Sequence, residues 1–373
     1  MATAQPASAH SVRNIATDSI AMGVAFAIAL TVIQRGVGFV RGILFCRWMN
    51  DQELGQWSMI FSFLMLLAPL AVLGLPGCFG RYVEHYIQRG QIRSFVRRVT
   101  ICSCMLTGTL AVSMFIAPNF FAQAFFRSPS LTPVIQSMAF ALLGVAAINF
   151  LSSLLEALRQ VRLATLMRFI QGVGFAVLSI FFVAGASDAP AGATIGFGLA
   201  CFLACGPAIW FLFKNNDAIQ DDGEPLGHWE MWKRIAPFAA WLWATNCVWN
   251  MFEVADRYML VHWSDCSPNV AHGLVGQYHS GRVVPLLLVG VAVVLEGMIM
   301  PYMTVFWENG QPKTAAKRVM AATKLLAVGF TVGAILILAC SPILFDNILQ
   351  GKYEDGRKVL PLTLLFSVWF SIF

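Results

Sequence analysis

The residues most able to do chemistry are charged groups set where apolar sequence surrounds them. Arg35 follows the run SIAMGVAFAIALTVI, which opens at Ser19, and Arg41 and Arg47 continue the same segment. A guanidinium at the centre of a membrane helix costs roughly 2.5–3.5 kcal/mol on insertion scales, so Arg35 needs a cavity or a partner. Guanidinium meets phosphate oxygens in a two-pronged fork, so Arg35 suits a diphosphate or an acidic sugar. The alternative is an arginine that snorkels or is paired for structure. Arg41 lies nearer the end of the run, where snorkelling competes harder. Arg47 reads as interfacial.

A second group falls between 246 and 257. Asn246 and Asn250 are one turn apart and could line a cavity or bond between helices. Glu253 and Asp256 are three apart and share a helix face. Together with Arg257 they suit charge pairing, with Asp256 or Glu253 neutralising Arg35, or uptake of H+ or Na+. The plainer alternative puts that helix end at a wet boundary. Glu296 is the most isolated carboxylate, set in VAVVLEGMIM, and suits proton coupling or pairing with a cavity arginine.

The elements that must carry these groups are membrane helices. The 373 residues are 58% hydrophobic and only 12% charged, against roughly 25% charged in soluble domains. Apolar stretches of about twenty residues recur, and they lack the alternation of barrel strands. The reading is an all-α integral membrane bundle of about ten transmembrane helices, near 19–47, 57–80, 98–118, 133–155, 163–186, 190–213, 236–261, 283–306, 319–345 and 359–373. The polar N-terminus has too few cations for a cleaved signal peptide. Eight of the nine cysteines sit in or beside apolar runs and Cys266 in a loop, without metal-type spacing, so no metal site, disulfide framework or cofactor is expected. The net charge of +6 is not gathered into a soluble basic segment, which argues against nucleic acid.

Lys and Arg in the loops divide unevenly. Sixteen of the 25, including Arg81 to Arg98 and Lys313 to Lys324, fall on one side and six on the other. This bias places the N-terminus in the cytoplasm. The basic loops could also draw anionic headgroups or a substrate diphosphate. No loop is large enough for a soluble catalytic domain. Lys214–Arg234 reads as a linker through Asp217, Asp221, Asp222 and Gly223, ending at Trp229 and Trp232; His262–Arg282 reads as the longest outer loop. Pro69, Gly74, Pro76, Gly77 and Gly80 in the second segment, and Gly290, Gly297 and Pro301 in the eighth, fit bending helices or simply close packing.

The second half echoes the first. Leu54-Gly55-Gln56-Trp57 returns as Val275-Gly276-Gln277-Tyr278 at an offset of 221. Gly90-Gln91 with Arg97-Arg98-Val99 returns as Gly310-Gln311 with Lys317-Arg318-Val319 at 220, and Ala117-Pro118 with Phe121 as Ser341-Pro342 with Phe345 at 224. Six helices per period is an even number, so the repeats are parallel. The expected halves are 1–222, a six-helix bundle, and 223–373, a bundle of which four helices are seen. The second unit is apparently truncated, and a chain ending inside a membrane pattern reads as a fragment.

The LGQW exit loop, Gly80-Arg81 before a basic loop, Asp256-Arg257-Tyr258-Met259-Leu260, VGQY and Pro301 together resemble the polysaccharide flippases. These are the lipid-linked oligosaccharide transporters of the multidrug/oligosaccharidyl-lipid/polysaccharide exporter superfamily. The resemblance implies two six-helix bundles around a central cavity. It implies movement of a lipid-linked glycan across the inner membrane by alternating access, without bond-making catalysis. The expected partners are that diphosphate-linked glycan, membrane lipids and a coupling H+ or Na+, with the chain acting as a monomer. A multidrug or peptidoglycan-precursor exporter of the same superfamily is the nearest alternative, although a drug-cation site would call for carboxylates rather than arginines. A membrane-embedded polysaccharide polymerase or ligase is the alternative of another class, and would call for a large catalytic loop.

Overall fold

The computed structural model describes residues 20–185, 188–216, 221, 225–308 and 310–372. Arg13, Asp217, Asp222 and Gly223 lie outside them. Helices α1 (Ile20–Trp48), α2 (Asp51–Ala71) and α3 (Phe79–Gln88) are followed by α4 (Ile92–Ile116), α5 (Pro118–Phe126), α6 (Thr132–Ala157) and α7 (Val161–Gly185). Then come α8 (Ala189–Lys214), α9 (His228–His262), α10 (Pro268–Glu308), α11 (Pro312–Ala339) and α12 (Glu354–Ile372). Among the described residues there is no strand.

Each of the ten anticipated segments contains helix among its described residues, and eight helices among the described residues are long and apolar enough to cross a membrane. The other two are α9 and α12. The first is diluted by Asn246, Asn250, Glu253, Asp256 and Arg257, and the second opens on Glu354, Asp355, Arg357 and Lys358. Large apolar side chains stand exposed in stripes, such as Ile101, Met105, Val112 and Phe115 on α4, and Leu325, Val328, Val332 and Ile335 on α11. Stripes of this kind face lipid. The chain is a multi-pass helical membrane protein.

Several boundaries differ from the sequence reading: the segment expected over 319–345 ends at Ala339 and that expected from 236 starts at His228. Segment 57–80 is not one helix. It stops at Ala71, where Leu73 and Gly74 take positive φ and Pro76 sits in a short 3-10 turn (Leu75–Cys78). α3 then runs as a separate amphipathic helix, burying Phe79, Tyr82, Val83, Tyr86 and Ile87. The expected outer loop His262–Arg282 is also mostly helix, because α10 starts at Pro268.

Contacts divide the chain into two compact units. Unit 1 is residues 1–30 and 59–268; unit 2 is residues 31–58 and 269–373. Residues 31–58 therefore cluster with the C-terminal helices, and this division does not follow the 222/223 boundary.

In unit 1, α8 is held between α6 and α7 by glycines. A Cβ on Gly196 would lie 2.7 Å from Ser179 N on α7, and one on Gly198 would lie 3.0 Å from Ala141 Cα on α6. Small residues let helix backbones approach this closely where water supplies no driving force. The start of α9 packs on the 3-10 turn, with Ala239 and Trp243 backbone atoms 2.5 and 2.8 Å from a Cβ on Gly74.

In unit 2 the two repeat markers meet. A Cβ on Gly55 would overlap the carbonyl oxygen of His272, and a Cβ on Gly276 would overlap that of Asp51. Positions 55 and 276 differ by 221, and so do 51 and 272. The crossing of α2 and α10 is thus reciprocal, as a two-fold relation between parallel repeats requires. Trp57 of the first marker packs edge-on against Phe45 at 5.6 Å. Gln277 of the second donates to the Lys352 carbonyl and accepts from Gly356 N, each at 3.2 Å.

The other repeated pairs share local geometry too. Gly90 and Gly310 both have left-handed φ, 63° and 71°. Gln91 N bonds to Tyr86 O and Gln311 N to Phe306 O, so each pair ends its helix in the same Schellman cap. The turns that follow Pro118 and Pro342 each reach a left-handed residue, Arg127 and Gly351, again 224 apart.

Candidate transport site

Arg35 lies on α1, exposed along its length, and its side chain rests on Gly290 of α10. A Cβ at 290 would stand 3.3 Å from Arg35 Cδ and 3.5 Å from Nε. Two turns along, Gly42 meets Val283 in the same antiparallel crossing. The missing side chain at 290 therefore makes room for the arginine stem and for its guanidinium, whose Cζ would stand 3.7 Å from a Cβ there. An exposed cation on an otherwise apolar helix faces a water-filled path or snorkels. Arg41 is half-buried, its guanidinium 5.9 Å from the Phe45 ring.

Unit 1 holds the second group, all on α9. Arg257 is buried. Its Nη1 donates to the Glu253 carbonyl at 2.5 Å and approaches Asp256 Oδ1 at 3.3 Å. The Asp256 carboxylate thus has a cation on its own helix, and Glu253 contributes a backbone oxygen while its side chain stays exposed. Asn250 donates to the Asn246 carbonyl at 2.7 Å, one turn back along the helix; Asn246 is exposed. Near the end of α9, Tyr258 stacks on His262 with ring centres 3.9 Å apart. Arg127 Nη1 donates to the Val261 and Ser264 carbonyls, each at 3.4 Å, placing a cation where the helix dipole favours one. Glu296 is exposed on α10. The structure brings Glu253, Asp256 and Arg257 together on α9, and Glu296 follows Gly290 by six residues on α10.

One group was missed by sequence reasoning. Arg282, read there as a loop cation, is buried within α10, its guanidinium 5.4 Å from the Tyr278 ring centre. The signal was available: Tyr278 and Arg282 are four apart within a continuous helical pattern.

Polar contacts join loops that the charge bias had put on one side. Glu84 pairs with Arg159 at 3.7 Å, and Lys352 Nζ donates to the Arg47 carbonyl at 2.6 Å. Among the described residues no group of His, Cys, Asp and Glu could hold a metal ion, and all nine cysteines are free.

A family model described as polysaccharide biosynthesis protein matches residues 20–307. The chain belongs to that family. No curated protein matches it. Among solved structures, an inward-facing multidrug resistance MATE family transporter of the MOP superfamily superposes with a TM-score of 0.67 at 13% identity. That match covers 94% of this chain and 84% of the other. An outward-facing MATE transporter of the same superfamily gives 0.60 at 13% identity over 94% and 84%. A MOP superfamily transporter from Pyrococcus furiosus, described by a reversed polarity of its binding pocket, gives 0.60 at 12% identity over 98% and 83%. This polysaccharide biosynthesis family member thus shares its fold with these transporters.

Proposed function

We propose that the chain carries a lipid-linked oligosaccharide or polysaccharide precursor across the inner membrane by alternating access, its N-terminus in the cytoplasm. The observation that carries this reading is an arginine, Arg35, seated on Gly290 within membrane helices of a polysaccharide biosynthesis family member. A diphosphate linker is the group such a cation would hold. Arg41 supplies a second cation on the same helix, and Asn246 and Asn250 supply amides for sugar hydroxyls. Glu253, Asp256 and Arg257 form the charged turn that responds to occupancy. Glu296 takes the coupling H+ or Na+. The two halves 1–222 and 223–373 act as the repeats of the cycle.

The test is uptake of lipid-linked glycan into inverted vesicles. Arg35→Gln should lower the rate at least about tenfold, the size expected for one charge-assisted hydrogen bond. Gly290→Val should do the same by displacing the arginine stem, with expression unchanged. Wild-type rates from both variants would overturn the role of Arg35. Transport insensitive to both pH and Na+ gradients would remove the role of Glu296.

A further inference from the structure

The charged face of α3 gathers cations from three helices. Arg81 and His85 lie on α3, with Arg89 at its C-cap, Arg98 on α4 and Arg234 on α9. The opposite face of α3 is buried in one apolar cluster with Phe95 and Val99 of α4, Phe150 of α6, and Met231 and Ile235 of α9. The core therefore holds in place the helix that carries Arg81 and Arg89. Tyr82 adds a hydrogen bond from its hydroxyl to the Arg234 carbonyl, 3.1 Å.

The way these cations are occupied is unusual. Arg234 Nη1 lies 2.7 Å from His85 Nε2. A guanidinium only donates, so the imidazole accepts and is neutral. Arg81 lies over the rings of Phe238, at 4.8 Å, and Tyr82, at 5.6 Å. Stacking of that kind leaves the in-plane N–H groups open. Arg98 Nη2 donates to the Leu226 carbonyl at 2.8 Å, while its Nη1 is buried without an acceptor among the described residues. Two carboxylates of this region, Asp221 and Glu84, are engaged elsewhere. Asp221 accepts from Arg93 N and Ser94 N, and Glu84 meets Arg159 and Gln88. Among the described residues, no carboxylate forms an ion pair with Arg81, Arg89, Arg98 or Arg234.

Membrane topology alone does not ask for this arrangement. The positive-inside bias acts on both repeats, but at the offset of 220 the counterparts of Arg81, His85 and Arg89 are Pro301, Val305 and Asn309. The basic residues of α3 thus have no counterpart in the second repeat, whereas Arg98 returns as Arg318.

We infer that Arg81, Arg89, Arg98 and Arg234 form a binding site for the phosphate of a lipid headgroup at the edge of unit 1. Phosphate supplies the oxygens that Arg98 Nη1 and the in-plane edge of Arg81 lack, and its negative charge is drawn to the four guanidinia. The bearer is either a bilayer phospholipid or a polyprenyl diphosphate, which share this chemistry. The site does not depend on what the transport path carries.

The test uses the full chain in detergent, titrated calorimetrically with dioctanoyl phosphatidylglycerol and with farnesyl diphosphate. Arg89→Gln/Arg234→Gln should weaken binding of at least one probe by about tenfold or more. Arg93→Gln/Arg97→Gln removes the same charge from exposed positions nearby and should change it by less than about threefold. Arg89→Lys/Arg234→Lys keeps the charge, loses the fork and should fall between them, so a result remains if the glutamine pair does not fold. Preference for phosphatidylglycerol assigns the site to the bilayer, and preference for farnesyl diphosphate assigns it to a polyprenyl carrier; either supports it. Equal losses in the two glutamine pairs, or no binding of either probe to the wild type, would overturn it.

Discussion

The crossing of Gly55 and Gly276 makes a quantitative prediction that depends on its symmetry. An alanine at 55 would place its Cβ against the His272 carbonyl and 2.9 Å from Gly276 N. An alanine at 276 would meet the Asp51 carbonyl, with Asp51 Cα at 3.1 Å. These are backbone atoms of helices, so no rotamer change relieves the overlap and the helices must separate. Overpacking of this kind costs about 1–3 kcal/mol. Because the contact is reciprocal, the two single substitutions should cost nearly the same. Once one has parted the helices, the other finds room, so the double variant should cost clearly less than the sum. Gly36→Ala on α1 is the control: nothing lies within 4 Å of its Cβ. It should be neutral or gain about 0.5–1 kcal/mol from backbone entropy. The assay is the thermal unfolding midpoint of purified protein in detergent, for all four variants in parallel. Unequal single costs would deny the two-fold relation. A neutral Gly55→Ala, or an additive double, would refute the close approach itself.

Three further outcomes follow from local geometry. Burial first, then the charges of Arg234 and Arg89, hold His85 below the ordinary imidazole range. The unfolded chain then binds the proton more readily, so this contribution is complete above about pH 6.5 and is lost as the pH falls through the lower folded value; His85→Gln should flatten that part of a midpoint-against-pH curve. Tyr353 is fully buried and its hydroxyl donates to the Met49 carbonyl at 3.1 Å, so Tyr353→Phe should cost about 1–2 kcal/mol, read as a lowered midpoint. Asp221 caps the start of α4 from a distant loop through Arg93 N and Ser94 N, so Asp221→Ala should cost about 1 kcal/mol, while Asp221→Asn should cost less.

What could be read from sequence was what the backbone demands locally. Gly90 and Gly310 are visible because only glycine enters the left-handed cap without cost, and that need recurs wherever the repeat does. Gly55 and Gly276 are visible for a related reason, since each must lack a side chain to admit the other's helix. α3 does not show in average apolarity, whereas Phe79, Tyr82, Val83, Tyr86 and Ile87 announce it by a period of 3.6. The clustering of residues 31–58 with the C-terminal helices was hidden because neighbours in sequence need not be neighbours in packing.

The candidate site shows the same division. A charge inside an apolar helix declares that something must accommodate it, but not what. For Arg257 the answer is local: Asp256 beside it and the Glu253 carbonyl one turn back, both within reach of helical arithmetic. For Arg35 the answer is Gly290, 255 residues away, and the accommodating feature is an absent side chain. Glycine in a membrane helix has many uses, so its meaning at 290 emerges only when α1 and α10 are laid together. This is also why Gly290→Val is the sharper probe of Arg35 than removal of the arginine. It leaves the charge in the chain and changes only where that charge can sit.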